Sequence, residues 1–152
     1  KQSTVIENIV FEIEKRSMAS RTVLHSFDWD LLEECNRLAP NMPRSYLSQL
    51  SENLDNTYDK PAEETSPDLL SFKRSIPEAI SVAGGHLWCP YFKDVTVDLI
   101  TEAHSFGLPV CTWTVNDVED IENMIDIGVD GIITDYIDRA KIIFKSRGLR
   151  WQ

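Results

Sequence analysis

Basic residues are scarce in this chain: 15 Lys and Arg stand against 25 Asp and Glu, a formal charge of −10 over 152 residues. Nucleic acids and anionic membrane surfaces are bound through a basic footprint, so neither suits this composition. A small substrate carrying phosphate stays open, because a metal ion can hold one. No apolar run approaches the roughly 20 residues that cross a bilayer, so no transmembrane segment is expected. Cysteine is limited to Cys35, Cys89 and Cys111, too few and too scattered for a disulfide framework or a zinc motif. We read all three as buried reduced thiols acting as small apolar residues, which favours a reducing, cytoplasmic setting. Glycine is limited to six positions, and neither a G-x-G-x-x-G nor a P-loop occurs, which removes the fingerprint of a nucleotide-binding sheet. The three histidines, His25, His86 and His104, lack metal-ligand spacing such as H-E-x-x-H, and no G-x-S-x-G elbow accompanies a serine. The chain also begins at Lys1 without a Met or an apolar leader, so we expect a piece of a longer reading frame.

What is present is the composition of a packed globular domain, with 42% apolar and 26% charged residues. Residues 3–18 have a helical period, with Val5, Ile6, Ile9, Val10 and Ile13 assigned to the apolar face. Residues 22–27 read as a strand, and Asp28 opens a helix whose inner face carries Leu31, Leu32, Cys35 and Leu38. A weaker strand covers 44–49. Residues 51–65 are polar and without period and read as a loop insertion, of the length that is usually functional or disordered. Ser66-Pro67 reads as a helix start, with a break near Pro77.

From residue 86 onward the pattern is regular. Strands at 86–90, 109–115 and 131–135 alternate with helices at 94–106, 117–127 and 138–146, and Gly107 and Gly128 sit where helices end in a left-handed residue. The assigned inward residues are Leu99, Ile100 and Ala103 on the first of these helices and Val118, Ile121 and Ile125 on the second. HSFGLPVCTWTVND and IDIGVDGIITDYID repeat one order: helix end, Gly, apolar strand, then Asp. Nearly continuous apolar strands joined through helices mean parallel pairing. The strand starts are spaced by about 22 residues, a compact βα repeat. The fold class is therefore α/β, and the architecture that fits is a (β/α)8 barrel. That barrel takes about 250 residues, so the four or five strands here make only part of one.

In such a barrel, functional groups lie at the carboxyl ends of the strands. That rule selects Ser26, Phe27 and Asp28, then Pro90 and Tyr91, then Trp113 to Asp117, then Thr134, Asp135 and Tyr136. Asp28, Asp117 and Asp138 start helices, and N-capping explains them. Asp135 could bind an ion or cap a turn, and Trp113 could be core or the wall of a ligand cleft. The residues by themselves supply no convincing acid, base, nucleophile or metal cluster.

Three segments in series, SFDWDLLEECNRLAP (26–40), AGGHLWCPYFKDVTVDLITEAHSFGLPVCTWTVND (83–117) and IDIGVDGIITDYIDRA (125–140), resemble the carboxyl-terminal part of the glycerophosphodiester phosphodiesterases. These belong to the phospholipase-C-like phosphodiesterase superfamily. The resemblance implies a TIM barrel whose first strands are absent from this chain, with residues 1–152 forming the carboxyl-terminal part of one barrel domain. It also implies hydrolysis of a small glycerophosphodiester to glycerol 3-phosphate and an alcohol, with a divalent cation, Ca2+ or Mg2+. The family's catalytic histidines, one of them in a His-Arg-Gly motif, and the Glu of its Glu-Ile-Lys-like strand have no counterpart here, so no catalytic residue and no metal ligand is assigned. Phe27 and Trp113 match the aromatic residues that line the family's substrate cleft. Ile137 stands where Pro usually follows TDY, which loosens that turn. The expectation is a chain inactive alone, poorly soluble or self-associating. The alternative is a noncatalytic binding or assembly module that uses the 51–65 loop as its contact surface.

Overall fold

The computed structural model describes residues 2–50 and 75–150. The expected 51–65 loop and the Ser66-Pro67 helix start lie outside the described residues. Among the described residues five strands and six helices alternate: α1 (Gln2–Lys15), β1 (Leu24–Ser26), α2 (Trp29–Leu38), β2 (Arg44–Ser48), α3 (Ile76–Val82), β3 (Leu87–Pro90), α4 (Val97–Ser105), β4 (Cys111–Thr112), α5 (Val118–Ile127), β5 (Gly131–Ile132) and α6 (Ile137–Ser146). Short 3-10 turns cover Ala19–Arg21 and Phe92–Asp94.

All strand pairing is parallel. β2 lies between β1 and β3, with His25 opposite Ser45 and Leu47 opposite Cys89. The stretch read as the weaker strand is therefore the centre of its sheet. β4 pairs with β5, Cys111 opposite Gly131. Parallel bridges from Trp88 to Val110 and from Tyr91 to Trp113 join the two sheets into one strand order, β1-β2-β3-β4-β5. The described strands do not close into a barrel.

Side chains alternate across a strand, and here the alternation separates a helix-packed face from the face opposite. Leu24, Tyr46, Trp88 and Val110 point into a core with Trp29, Leu32, Ile80, Ile100, Ala103 and Leu108 from the helical layer and its links. A second cluster continues it with Val115, Ile121, Met124, Ala140, Ile143 and the packed Ile132. Cysteine Cys35 sits in a third cluster between α1 and α2, with Ile6, Val10, Ala39 and Met42. The described helices thus cover one face of the strand layer. A doubly wound sheet carries helices on both faces, whereas a βα barrel keeps them outside. The other face presents His25 and Phe27, Ser45 and Leu47, Cys89 and Tyr91, Cys111 and Trp113.

Several boundaries differ from the sequence reading for local reasons. α1 ends at Lys15, and Ser17 takes φ 55°. On it Ile6 and Val10 are buried against α2 and its neighbours, whereas Val5 and Ile9, turned away from α2, are 56% and 46% exposed. Pro77 does not break a helix; it occupies the first turn of α3, which Ser75 caps by accepting from Glu78 N. The helix expected from Asp94 starts at Val97, capped by Thr96, since the Asp94 carboxylate instead accepts from Leu50 N at 2.8 Å. Val118 is 49% exposed and Met124 takes its inward place. Gly128 ends α5 at φ 88°, and Gly107 follows α4 at φ 69°, both as anticipated.

Candidate functional site

The carboxyl ends of the strands carry two clusters. In the first, Phe27 follows β1, Tyr91 follows β3 and Trp113 follows β4. Phe27 meets Trp113 edge to face, with centroids 5.4 Å apart at 85°. Tyr91 leans on the same indole at 5.4 Å and 53°, and on Phe92 at 5.0 Å. Such pairs add roughly 0.5–1.5 kcal/mol each beyond area burial. The indole N–H of Trp113 donates to the Cys89 carbonyl at 2.8 Å, and Trp113 N donates to Pro90 O at 3.2 Å. Backbone and side chain together fix the ring's direction. The Trp113–Thr114 peptide is cis.

The second cluster links the ends of β4 and β5. Asn116 Oδ1 accepts from Thr134 Oγ1 at 3.2 Å and from Asp135 N at 3.0 Å, while its Nδ2 donates to an Asp135 carboxylate oxygen at 2.9 Å. Thr134 Oγ1 in turn accepts from Tyr136 N at 3.1 Å. Arg139 donates to the Asn116 carbonyl and lies over the Tyr136 ring, 4.3 Å from its centroid. The Asn116 amide oxygen thus accepts twice, and its nitrogen donates once, within the neighbouring strand end, a structural use.

The remaining residues selected at strand ends separate accordingly. Asp28 caps α2 by accepting from Leu31 N at 2.9 Å, and Ser26 Oγ accepts from Asp28 N at 3.0 Å. Asp117 holds the N-cap position of α5 without a side-chain cap bond; its carboxylate faces Arg139 at 3.8 Å instead. Asp138 is not a cap either, since α6 begins at Ile137 after Tyr136. Asp135 serves the Asn116 link. Phe27 and Trp113, read as cleft residues, stand together, and Tyr91 joins them. His25 and Ser26 face opposite ways: His25 Nδ1 lies 2.8 Å from Ser45 Oγ on the face turned away from the described helices, and burial lowers its pKa below 6.5. Burial, then the nearby Arg44 charge, lower that of His86. His104 Nε2 lies 2.8 Å from Asp130 Oδ2.

Two relationships went unread in the sequence. The Asn116 link gave no signal, because an Asn at a strand end is common and its partners depend on β4 lying beside β5. The second is that Cys89 and Cys111 stand opposite each other on neighbouring strands. Their separation equals the βα repeat of about 22 residues, so that pattern could have found them. Among the described residues, no group of three or more His, Cys, Asp and Glu side chains could hold a metal ion. No helix among them is long and apolar enough to cross a membrane.

A parallel strand layer with helices on one face and an aromatic cluster at its carboxyl ends belongs to the class of (β/α)-barrel proteins. The model of the glycerophosphoryl diester phosphodiesterase family matches residues 2–139, and the chain belongs to that family. It superimposes on a candidate glycerophosphoryl diester phosphodiesterase from Silicibacter pomeroyi with a TM-score of 0.88 and 46% identity, over 99% of this chain and 47% of that one. For a glycerophosphodiester phosphodiesterase from Parabacteroides distasonis the TM-score is 0.74 and the identity 25%, over 97% and 52% of the two chains. The glycerophosphodiester phosphodiesterase of Caldanaerobacter subterraneus is 26% identical over 129 residues, 85% of this chain and 44% of the relative. The chain spans about half the length of the relatives it matches.

Proposed function

We propose that this chain supplies the carboxyl-terminal part of a (β/α)8 barrel whose complete form hydrolyses glycerophosphodiesters to glycerol 3-phosphate and an alcohol. The observation that carries the reading is the Phe27–Trp113–Tyr91 cluster at the carboxyl ends of three parallel strands, the end at which barrel enzymes bind substrate. Exposed apolar side chains on the two flanking helices support it. Val5, Ile9 and Phe11 line α1, and Ile137 and Ile142 line α6 with Tyr136 just ahead of it, where a barrel would pack further βα units. The chain's own part is to hold the carbon skeleton of the substrate against the Phe27 and Trp113 rings. The described residues do not form a site for the divalent cation, Ca2+ or Mg2+, of the complete enzyme, and no proton-transfer step is placed on them.

The test is a chimera in which this chain replaces the matching half of the Silicibacter pomeroyi relative. The chimera is expected to release glycerol 3-phosphate from a glycerophosphodiester in the presence of Ca2+ or Mg2+, whereas the chain alone releases none above the blank. Trp113→Ala in the chimera should raise KM more than it lowers kcat, the mark of lost substrate binding. A folded chimera without turnover overturns the activity. Turnover by the chain alone overturns the division of labour.

A further inference from the structure

We propose that Cys89 and Cys111 form a redox-active dithiol that hydrogen peroxide closes to a disulfide between β3 and β4. The bridges from Trp88 to Val110 and from Tyr91 to Trp113 place Cys89 directly opposite Cys111. Both side chains lie on the face turned away from the described helices, one layer below the aromatic cluster. Neighbouring strands run about 4.8 Å apart, inside the roughly 4.4–6.8 Å span of Cα atoms that a disulfide bridges. Each thiol lies close enough to the other to shift its titration. Opposite them on β5 stands Gly131, where a Cβ would come within 2.9 Å of the Cys111 sulfur; glycine leaves that sulfur free to turn toward Cys89.

The two thiols have different parts. Cys89 is fully buried and Cys111 half-buried, so Cys111 meets the oxidant. The neighbouring Cys89 thiol lowers its pKa, against opposing effects of burial and of Asp130, while Cys111 and burial push that of Cys89 up. The Cys111 thiolate attacks one peroxide oxygen, the O–O bond breaks, and the departing hydroxide takes a proton to become water, leaving a sulfenic acid. The Cys89 sulfur then attacks the Cys111 sulfur, its proton leaves with the hydroxyl as a second water, and the S–S bond forms. One peroxide accepts two electrons, and two thiols lose them. Cys35 stays outside this chemistry: it lies in the separate cluster between α1 and α2, and burial raises its pKa.

The reduced chain is treated with hydrogen peroxide under native conditions, denatured, and its thiols counted and mapped by peptide mass. Two of the three thiols should disappear with a mass loss of about 2 Da, two hydrogens, and the crosslink should join Cys89 to Cys111. Cys35→Ser should leave the crosslink intact. Cys89→Ala should yield a dimedone adduct at Cys111 and no crosslink, and Cys111→Ala should yield neither. Three surviving thiols, a crosslink through Cys35, or the same mixture of products from native and urea-unfolded chain overturns the proposal. The wild-type map decides this even if a variant fails to fold.

Discussion

Phe27 and Trp113 meet edge to face, their centroids 5.4 Å apart, although one follows β1 and the other follows β4. The contact spans the concave side of the strand layer and ties its first strand to its fourth. Trp113 also holds the Cys89 carbonyl through its indole N–H, so the ring has two separable duties. Trp113→Phe removes only the donor and should cost about 0.5–1.5 kcal/mol. Trp113→Ala removes the aromatic contacts as well and should cost about 2–4 kcal/mol. A double-mutant cycle with Phe27→Ala, read by urea denaturation, should return a coupling of about 0.5–1.5 kcal/mol. Additive effects would show that the rings adjoin without supporting each other.

Asp130 binds two partners of unequal worth with one oxygen. Its Oδ2 accepts from Val110 N and from His104 Nε2, both at 2.8 Å. Val110 is fully buried, and its N–H has no water to turn to. The His104 pair is exposed on both sides, and exposed ion pairs contribute little. Asp130→Ala should therefore cost about 1–3 kcal/mol, His104→Ala less than about 1 kcal/mol. Equal losses in thermal or urea unfolding would mean that the imidazole, not the amide, depends on Asp130.

The order of these elements was readable from residues that act locally. Asp28 caps α2, and Gly107 and Gly128 take positive φ, because caps and left-handed ends need only nearby backbone. The apolar runs around Val110 and Ile132 announced buried parallel strands for the same reason. What failed depended on distant neighbours. Val5, Ile6, Ile9, Val10 and Ile13 span too wide an arc to be buried together, and the position of α2 selects Ile6 and Val10. Asp94 reads as a helix start until Leu50 N claims its carboxylate. Of the site, the sequence marked Phe27 and Trp113, but not that Tyr91 joins them, since that requires β3 beside β4.

Acid should destabilise the fold through two imidazoles. Burial lowers the pKa of His25 below the ordinary 6.5, and burial with the Arg44 charge lowers that of His86. The unfolded chain therefore takes up these protons first, so their contribution is present above about pH 6.5 and is lost as pH falls through the folded values. The urea midpoint should drop between about pH 7 and pH 5, and both imidazole resonances should titrate with midpoints below 6.5. His25→Gln and His86→Gln should each flatten the pH dependence relative to the parent chain. Imidazole midpoints at or above 6.5 would show that folding strips too little water from these rings to shift their titration.

Gly131 should resist even a methyl group. A Cβ there would lie 2.9 Å from the Cys111 sulfur and 3.5 Å from its Cβ, in a layer where Cys111 is already held beside Cys89. Overpacking of this kind typically costs about 1–3 kcal/mol. The backbone of Gly131 needs no positive φ, so the penalty belongs to the sulfur rather than to conformation. Cys111→Ala removes that sulfur and should recover most of the loss in the double variant. Gly131→Ala alone should lower the urea midpoint, and Cys111→Ala with Gly131→Ala should return close to Cys111→Ala alone. If the double variant is as unstable as the sum of the singles, the strand needs glycine for its backbone and the steric account fails.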